Sequence, residues 1–204
     1  LWMHNGFVTI EGRKMSKSLG NVLLIKNLRE QAPAEALRYL LLNAHYRQPL
    51  DWSESALKQA KTTLDRLYGA LRDLEDVDAS GVTVEADNVK AALADDLGTP
   101  QALAALSELS RDVQKAEGPA ARASAKARLL AAGSWLGLLQ QTPQDWFQSG
   151  KASIDVPRIE ALMAERQQVR ERRDFARADA IRNELTELGV VIEDTPQGAR
   201  WKLL

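Results

Sequence analysis

The first 25 positions alternate between a short apolar run, a polar break and a second apolar run. Phe7, Val8, Thr9 and Ile10 predict a strand, and Val22, Leu23, Leu24 and Ile25 a short buried segment. Pro33 then suits a first helical turn, with Glu35 complementing the helix dipole. Leu37, Leu40, Leu41 and Ala44 give that helix an apolar face, Arg38 and His45 fall off it, and Pro49 ends it. The clearest stripe follows. From Ser53 as N-cap candidate, Leu57, Ala60, Leu64, Leu67, Leu71 and Leu74 step by three and four. Lys58, Lys61, Asp65, Arg66 and Arg72 take the wet side, so this stripe is a packing seam and not a binding groove.

An acidic, turn-rich break over 76–81 precedes further helices. The first spans about 85–95. The second takes Thr99 as N-cap and Pro100 at its first position, and carries Leu103, Leu106, Leu109 and Val113. Gly118-Pro119 interrupts; an alanine-rich helix then runs through Leu129, Leu130 and Trp135 to Leu139, and Thr142-Pro143 opens a short one with Trp146 and Phe147. Short breaks between helices predict an antiparallel helical bundle whose core takes Trp135, Trp146 and Phe147. From 150 to 156 the pattern lapses into a linker. A smaller module follows: one helix through Ile159, Leu162, Met163, Arg166 and Val169, and a bend at Arg173-Asp174. A second helix carries Phe175, Ala178, Ile181, Leu185 and Leu188, with Gly189 as its cap. Val190-Val191-Ile192 and 200–203 read as a β-hairpin turned at 195–198. The fold class is mainly α, ending in a small α+β module, with regions expected at 1–48, 49–150 and 151–204.

Composition narrows the field. The 204 residues are 45% apolar, enough for one good core or two smaller ones. Formal charge is −1, but it is unevenly placed. Residues 13–47 hold seven Lys/Arg against two acids, a net of +5; residues 51–100 hold five against eleven, a net of −6. A locally basic segment can steer an anion even when the total is near zero. With no cysteine and only two histidines, His4 and His45, the chain cannot assemble an ordinary zinc site alone, and no metal ligand is expected in it. No apolar run approaches bilayer-spanning length and no signal-peptide pattern opens the chain, so the cytoplasm is the expected location. The chain begins with Leu just before a strand, so the C-terminal part of a longer protein is expected.

Candidate chemistry concentrates in Lys14-Met15-Ser16-Lys17-Ser18-Leu19-Gly20-Asn21. Ammonium groups supply point charges for phosphate oxygens, serine hydroxyls add neutral donors, and glycine lets the backbone come close. As composition alone the stretch reads equally well as a solvated basic loop. The order of residues separates the two. Lys-Met-Ser-Lys-Ser, followed by Leu-Gly-Asn, resembles the signature loop of class I aminoacyl-tRNA synthetases at all five signature positions. The flanks are similar to cysteinyl-tRNA synthetase: Leu-Trp-Met-His-Asn-Gly-Phe-Val at 1–8, Arg38-Tyr39-Leu40, His45-Tyr46-Arg47, Asp174-Phe175-Ala176-Arg177-Ala178-Asp179, and Glu193-Asp194-Thr195-Pro196-Gln197-Gly198 with Trp201. The resemblance covers nearly the whole chain and is weakest from about 77 to 151.

That resemblance implies the end of a Rossmann-type catalytic domain with its signature loop and a stem-contact region, then the bundle, then an anticodon-binding module. It implies a ligase that activates cysteine with ATP and transfers it to tRNA(Cys), in a monomer. Lys17 first and Lys14 second are the implied catalytic residues, stabilising the charge that builds on departing pyrophosphate. Ser16, Ser18 and Asn21 would shape the loop or donate to phosphates of ATP. At the far end, Arg170, Phe175, Asp179 and Asp194 are the implied base-contacting residues, with Trp201 as a further stacking candidate. Spacing alone reads the same segment as a solvated face with pairs such as Arg170–Asp174. At 175 this chain has Phe; against a Trp it would keep the stacking face and lose an N–H donor. The family's other ATP signature, His-Ile-Gly-His, and its Cys, His and Glu zinc ligands are not in this sequence, so zinc is expected only in the full-length enzyme and the 204 residues alone are not expected to make the adenylate. Competing readings are a stand-alone tRNA-binding module, which has no use for pyrophosphate-facing lysines, and a synthetase-like cysteine:amine ligase, which needs no anticodon module.

Overall fold

The computed structural model describes residues 2–148, 155–195 and 198–203. By internal contacts the chain divides into two compact units, Leu1–Pro143 and Gln144–Leu204. No helix among the described residues is long and apolar enough to cross a membrane.

The first unit opens on a small sheet. Strand β1 (Val8–Ile10) pairs antiparallel with β2 (Arg13–Lys14) and parallel with β3 (Leu50–Trp52). Glu11 and Gly12 turn the β1–β2 hairpin with φ of 50° and 75°, the mirror-image turn whose twist matches antiparallel strands. β3 lies outside the sequence reading, because Leu50-Asp51-Trp52 is too short for any period to declare itself. Its Asp51 locks the sheet: Oδ1 accepts from Thr9 Oγ1 at 2.6 Å and from the Gly12 amide at 2.8 Å. Those two donors hold the Asp51 carboxyl below its ordinary range, Thr9 contributing most.

Between the strands lie α1 (Ile25–Gln31) and α2 (Ala34–Leu42). The expectation of a buried 22–25 segment is corrected: Val22, Leu23, Leu24 and Ile25 are all exposed, and Ile25 opens α1. On α2 the face that packs is Ala36, Leu37, Tyr39 and Leu40, while Leu41 points outward and the helix stops at Leu42, well before Pro49.

Helix α3 (Glu54–Arg72) follows the predicted stripe closely. Ser53 caps it, its hydroxyl accepting from the Ala56 amide at 3.2 Å. Ala60, Leu64, Leu67, Leu71 and Leu74 are buried, joined by Tyr68. Then come α4 (Asp87–Ala94), α5 (Thr99–Lys115) and α6 (Pro119–Leu136), with α5 packed against α3, α4 and α6. Gly98, not Thr99, occupies the α5 cap position, and the Thr99 hydroxyl instead donates to the Ala44 carbonyl at 3.5 Å. Leu103, Leu106, Val113, Leu129 and Leu136 complete the bundle core; each fully buried side chain contributes about 1.5–3 kcal/mol of transfer free energy. Trp135, expected in that core, is 55% exposed, with Lys90 Nζ 5.6 Å from its ring centre. Arg122 of α6 reaches the carbonyl of Asp73, the C-cap of α3, at 2.8 Å, and Lys126 reaches the carbonyls of Leu74 at 2.9 Å and Val77 at 2.7 Å in the turn beyond it. Cations at a helix C-terminus satisfy orphan carbonyls and complement the dipole.

Helix α7 (Pro143–Gln148) carries the buried Trp146 and Phe147 and falls, from Gln144 onward, in the second unit. The linker expected over 150–156 lies largely outside the described residues. Helices α8 (Val156–Glu171) and α9 (Phe175–Glu187) form a hairpin, Asp155 and Asp174 capping them through the Arg158 and Arg177 amides. The left-handed Gly189 (φ 78°) then leads into the antiparallel pair β4 (Val190–Thr195) and β5 (Gly198–Leu203). Ile159, Leu162, Ile181, Leu185 and Val190 make the core of this module, with Trp201 and Leu203 packed against it. The 196–197 part of the predicted turn lies outside the described residues.

Candidate functional site

The lysine-serine loop begins where β2 runs out. The Met15 amide still donates to the Val8 carbonyl at 3.2 Å, so the loop is anchored to the sheet at its start. Ser16 then caps a single 3₁₀ turn, Lys17–Leu19, accepting from the Leu19 amide at 3.3 Å. Gly20 ends that turn in the left-handed region (φ 66°), where a side chain would strain the backbone. Asn21 closes the loop on itself. Its Oδ1 accepts from the Ser16 amide at 2.9 Å and its Nδ2 donates to the Lys14 carbonyl at 3.2 Å. The Ser16 and Ser18 hydroxyls sit 3.2 Å apart. Asn21 and Ser16 are thus spent inside the loop, while Lys14, Lys17 and Ser18 are exposed on it. Lys14 Nζ lies 4.5 Å from the centre of the Phe7 ring, a cation–π contact, and no acid among the described residues pairs with it. Trp2, Met3, Phe7 and Leu19 are exposed in this N-terminal stretch.

A second polar cluster joins the α2–β3 connection to the α4–α5 turn. Arg47 Nε donates to Asp96 Oδ2 at 2.7 Å and Tyr46 Oη to Oδ1 at 2.7 Å, while His45 Nε2 donates to the Asp96 carbonyl at 2.8 Å. Asp96 and Leu97 both have positive φ, 49° and 55°. This strained turn is held by its three neighbours. The Arg47 guanidinium, then the Tyr46 hydroxyl, bring the Asp96 carboxyl down to about 2. His45-Tyr46-Arg47 is visible in sequence, but its partner 50 residues on is not.

In the second unit, Asp194 of β4 meets two arginines of α8. Arg166 grips it with both terminal nitrogens, NH1 to Oδ1 and NH2 to Oδ2 at 3.0 Å each, and Arg170 NH1 adds a bond to Oδ1 at 2.9 Å. Arg166 first, with Arg170 after it, holds the Asp194 carboxyl below its ordinary range. A groove of about 380 Å³ adjoins this trio, lined also by Gln167, Glu171, Thr195, Gly198 and Ala199. The Arg170–Asp174 pairing read from spacing does not form: Arg170 takes Asp194, and Asp174 caps α9. Phe175 is 63% exposed at the start of α9, and Asp179, one turn later on the same helix face, is also exposed. Trp201 is half-buried against the module core, so what it offers a ligand is its remaining surface. Arg166 escaped the sequence reading, which counted it as one more position on the apolar stripe. An arginine between Leu162 and Val169 on a buried face was the signal available.

Among the described residues no group of three His, Cys, Asp or Glu converges as a metal ion would require. With no cysteine in the sequence, these residues do not fit the zinc site the resemblance assigns to the full-length enzyme.

A lysine-serine loop on a small β-sheet, a helical bundle, and a helix–hairpin module with an arginine–carboxylate groove follow one another along the chain. Three family models match in chain order: the tRNA synthetases class I (C) catalytic domain over residues 1–62, the DALR domain over 88–140, and the cysteinyl-tRNA ligase anticodon binding domain over 156–201. The cysteine–tRNA ligase of Xanthomonas campestris is 56% identical over 201 residues, covering 98% of this chain and 44% of the relative. That of Parvibaculum lavamentivorans is 54% identical over 205 residues, covering 99% and 44%, and that of Xylella fastidiosa 50% over 211 residues, covering 98% and 45%. Along nearly its whole length the chain is similar to these cysteine–tRNA ligases, and it spans less than half of theirs.

Proposed function

We propose that the chain supplies the catalytic flap and the tRNA-binding regions of a cytoplasmic, monomeric cysteine–tRNA ligase. In the reaction a cysteine carboxylate oxygen attacks the α-phosphorus of ATP, the bond to the bridging oxygen breaks, and pyrophosphate leaves. A hydroxyl of the terminal adenosine of tRNA(Cys) then attacks the cysteinyl carbonyl and AMP departs. Lys17, on the 3₁₀ turn, meets the charge that develops on the leaving pyrophosphate, with Lys14 beside it. Both charges gain more from the transition state than from ground-state ATP, which is what raises rate. Ser18 donates to a phosphate oxygen; Ser16 and Asn21 keep the loop's shape as it closes. Residues 1–48 form the catalytic and stem-contact region, 49–150 the bundle, and 151–204 the anticodon module. There Phe175 stacks on an unstacked base, Arg170, Asp179 and Asp194 read edges, and Trp201 adds its exposed surface.

The observation that carries this reading is the flap itself: Asn21 ties residues 14–21 into a closed loop that leaves Lys14 and Lys17 exposed, with no acidic side chain among the described residues paired to either. In the complete enzyme, Lys17→Ala slows ATP–pyrophosphate exchange by about 10²-fold or more while leaving cysteine binding intact. An exchange rate equal to that of the unaltered enzyme overturns the assignment.

A further inference from the structure

Arg166 has features that packing alone does not call for. It is 8% exposed, on the α8 stripe that otherwise buries Ile159 and Leu162, and its Nε has no hydrogen-bond partner among the described residues. A buried cation is costly unless paired, and an apolar side chain of similar volume commonly serves stability as well or better. What the guanidinium does provide is orientation. Its two parallel bonds to Asp194 fix the plane of that carboxylate, as a single-point ammonium cannot. Arg170 differs in both respects: its side chain is 46% exposed and it makes one bond, to the Oδ1 that Arg166 already holds.

We propose that Arg166 is the fixed positioning residue of the RNA-reading groove, holding Asp194 in a set orientation, while Arg170 is the exchangeable partner that leaves Asp194 for RNA. The proposal rests on the anticodon reading given above. Removing Arg170 from Asp194 leaves the carboxylate neutralised and doubly bonded, so the exchange exposes no unpaired buried charge. A carboxylate offers about four acceptor sites, of which Arg166 takes two. The groove then presents acceptors of fixed direction beside a mobile guanidinium with donors to spare. That combination suits the edge of a nucleobase carrying an amino donor next to ring acceptors.

The test measures binding of the 204-residue chain to RNA stem–loops bearing the cysteine anticodon or single-base replacements of it. Arg166→Lys keeps the charge and loses the fork. It is expected to reduce the preference for the cysteine loop by at least about tenfold, the scale of one mispaired base contact, with an unchanged circular dichroism spectrum. Arg170→Lys keeps a donor for the base edge, so it is expected to reduce the preference clearly less than Arg166→Lys does while weakening binding to every loop. A folded Arg166→Lys that discriminates as well as the unaltered chain overturns the proposal. So does an Arg170→Ala variant that loses discrimination as fully as Asp194→Ala, and this arm decides the matter if Arg166→Lys does not fold. A chain with no preference among the loops before any substitution overturns the anticodon reading itself, which separates the two failures.

Discussion

Asp96 is exposed, yet Arg47 and Tyr46 converge on its carboxylate and hold it at about 2, against an ordinary value of 3.8. A carboxyl depressed in the folded state stabilises above its unfolded pKa and loses that contribution as pH falls through the folded one. Thermal melts of the chain should therefore drop between about pH 4 and pH 2, and Asp96→Asn should flatten that part of the profile. Asp51 and Asp194 are shifted in the same direction, so some slope survives the substitution. Parallel curves for the two proteins would show that the Asp96 clasp adds nothing. Tyr68 presents a buried case. Its hydroxyl donates to Glu35 at 2.5 Å and accepts from the Gln141 amide at 3.3 Å, and burial with the Glu35 bond pushes its pKa up. Glu35 lies on the first turn of α2, as its sequence position implies, and is also buried, accepting from the Gln140 amide at 3.2 Å. Tyr68→Phe strands groups on both sides and should cost about 1–3 kcal/mol in urea unfolding with an unchanged m-value.

At the scale of elements, the flap depends on a sheet barely long enough to exist. β1 and β3 pair over three residues each, and the approach to β1 is pinned by the Gly6 amide bonded to the Tyr46 carbonyl at 2.7 Å. A Cβ at Gly6 would lie 2.0 Å from the Gln48 carbonyl oxygen, so no side chain fits there. Gly6→Ala should destabilise the first unit by at least about 2 kcal/mol and speed amide exchange in β1. Exchange at the rate of the unaltered chain would mean this close approach is not needed. The helices, by contrast, carry their own instructions. Ser53, the three-and-four stripe of α3, Pro100 and Gly118-Pro119 marked starts and faces correctly because 3.6-residue periodicity and caps are local properties. Leu41, Trp135 and 22–25 were misjudged for one reason: apolar spacing says that a face could be buried, not that a neighbour arrives to bury it.

For the whole molecule, the lysine-serine loop and the Asp194 groove fall in different contact units, so on the proposed reading their defects should separate in function. In a complete enzyme, Phe175→Ala should raise the KM for tRNA roughly 5- to 100-fold, the worth of about 1–3 kcal/mol per stacked base, and leave pyrophosphate exchange untouched. Equal loss in both assays would place Phe175 in the structural frame and not at the RNA. The order of residues alone determined the helix stripes, the signature loop and the family, since each is a pattern within a dozen or so neighbours. Tertiary structure alone decided that Asn21 ties the loop shut, that Arg47 finds Asp96, and that Asp194 answers to Arg166 and not to Arg170 alone. The two distant pairings join residues 28 and 49 positions apart, where no local periodicity operates and only the packed chain sets which charge meets which.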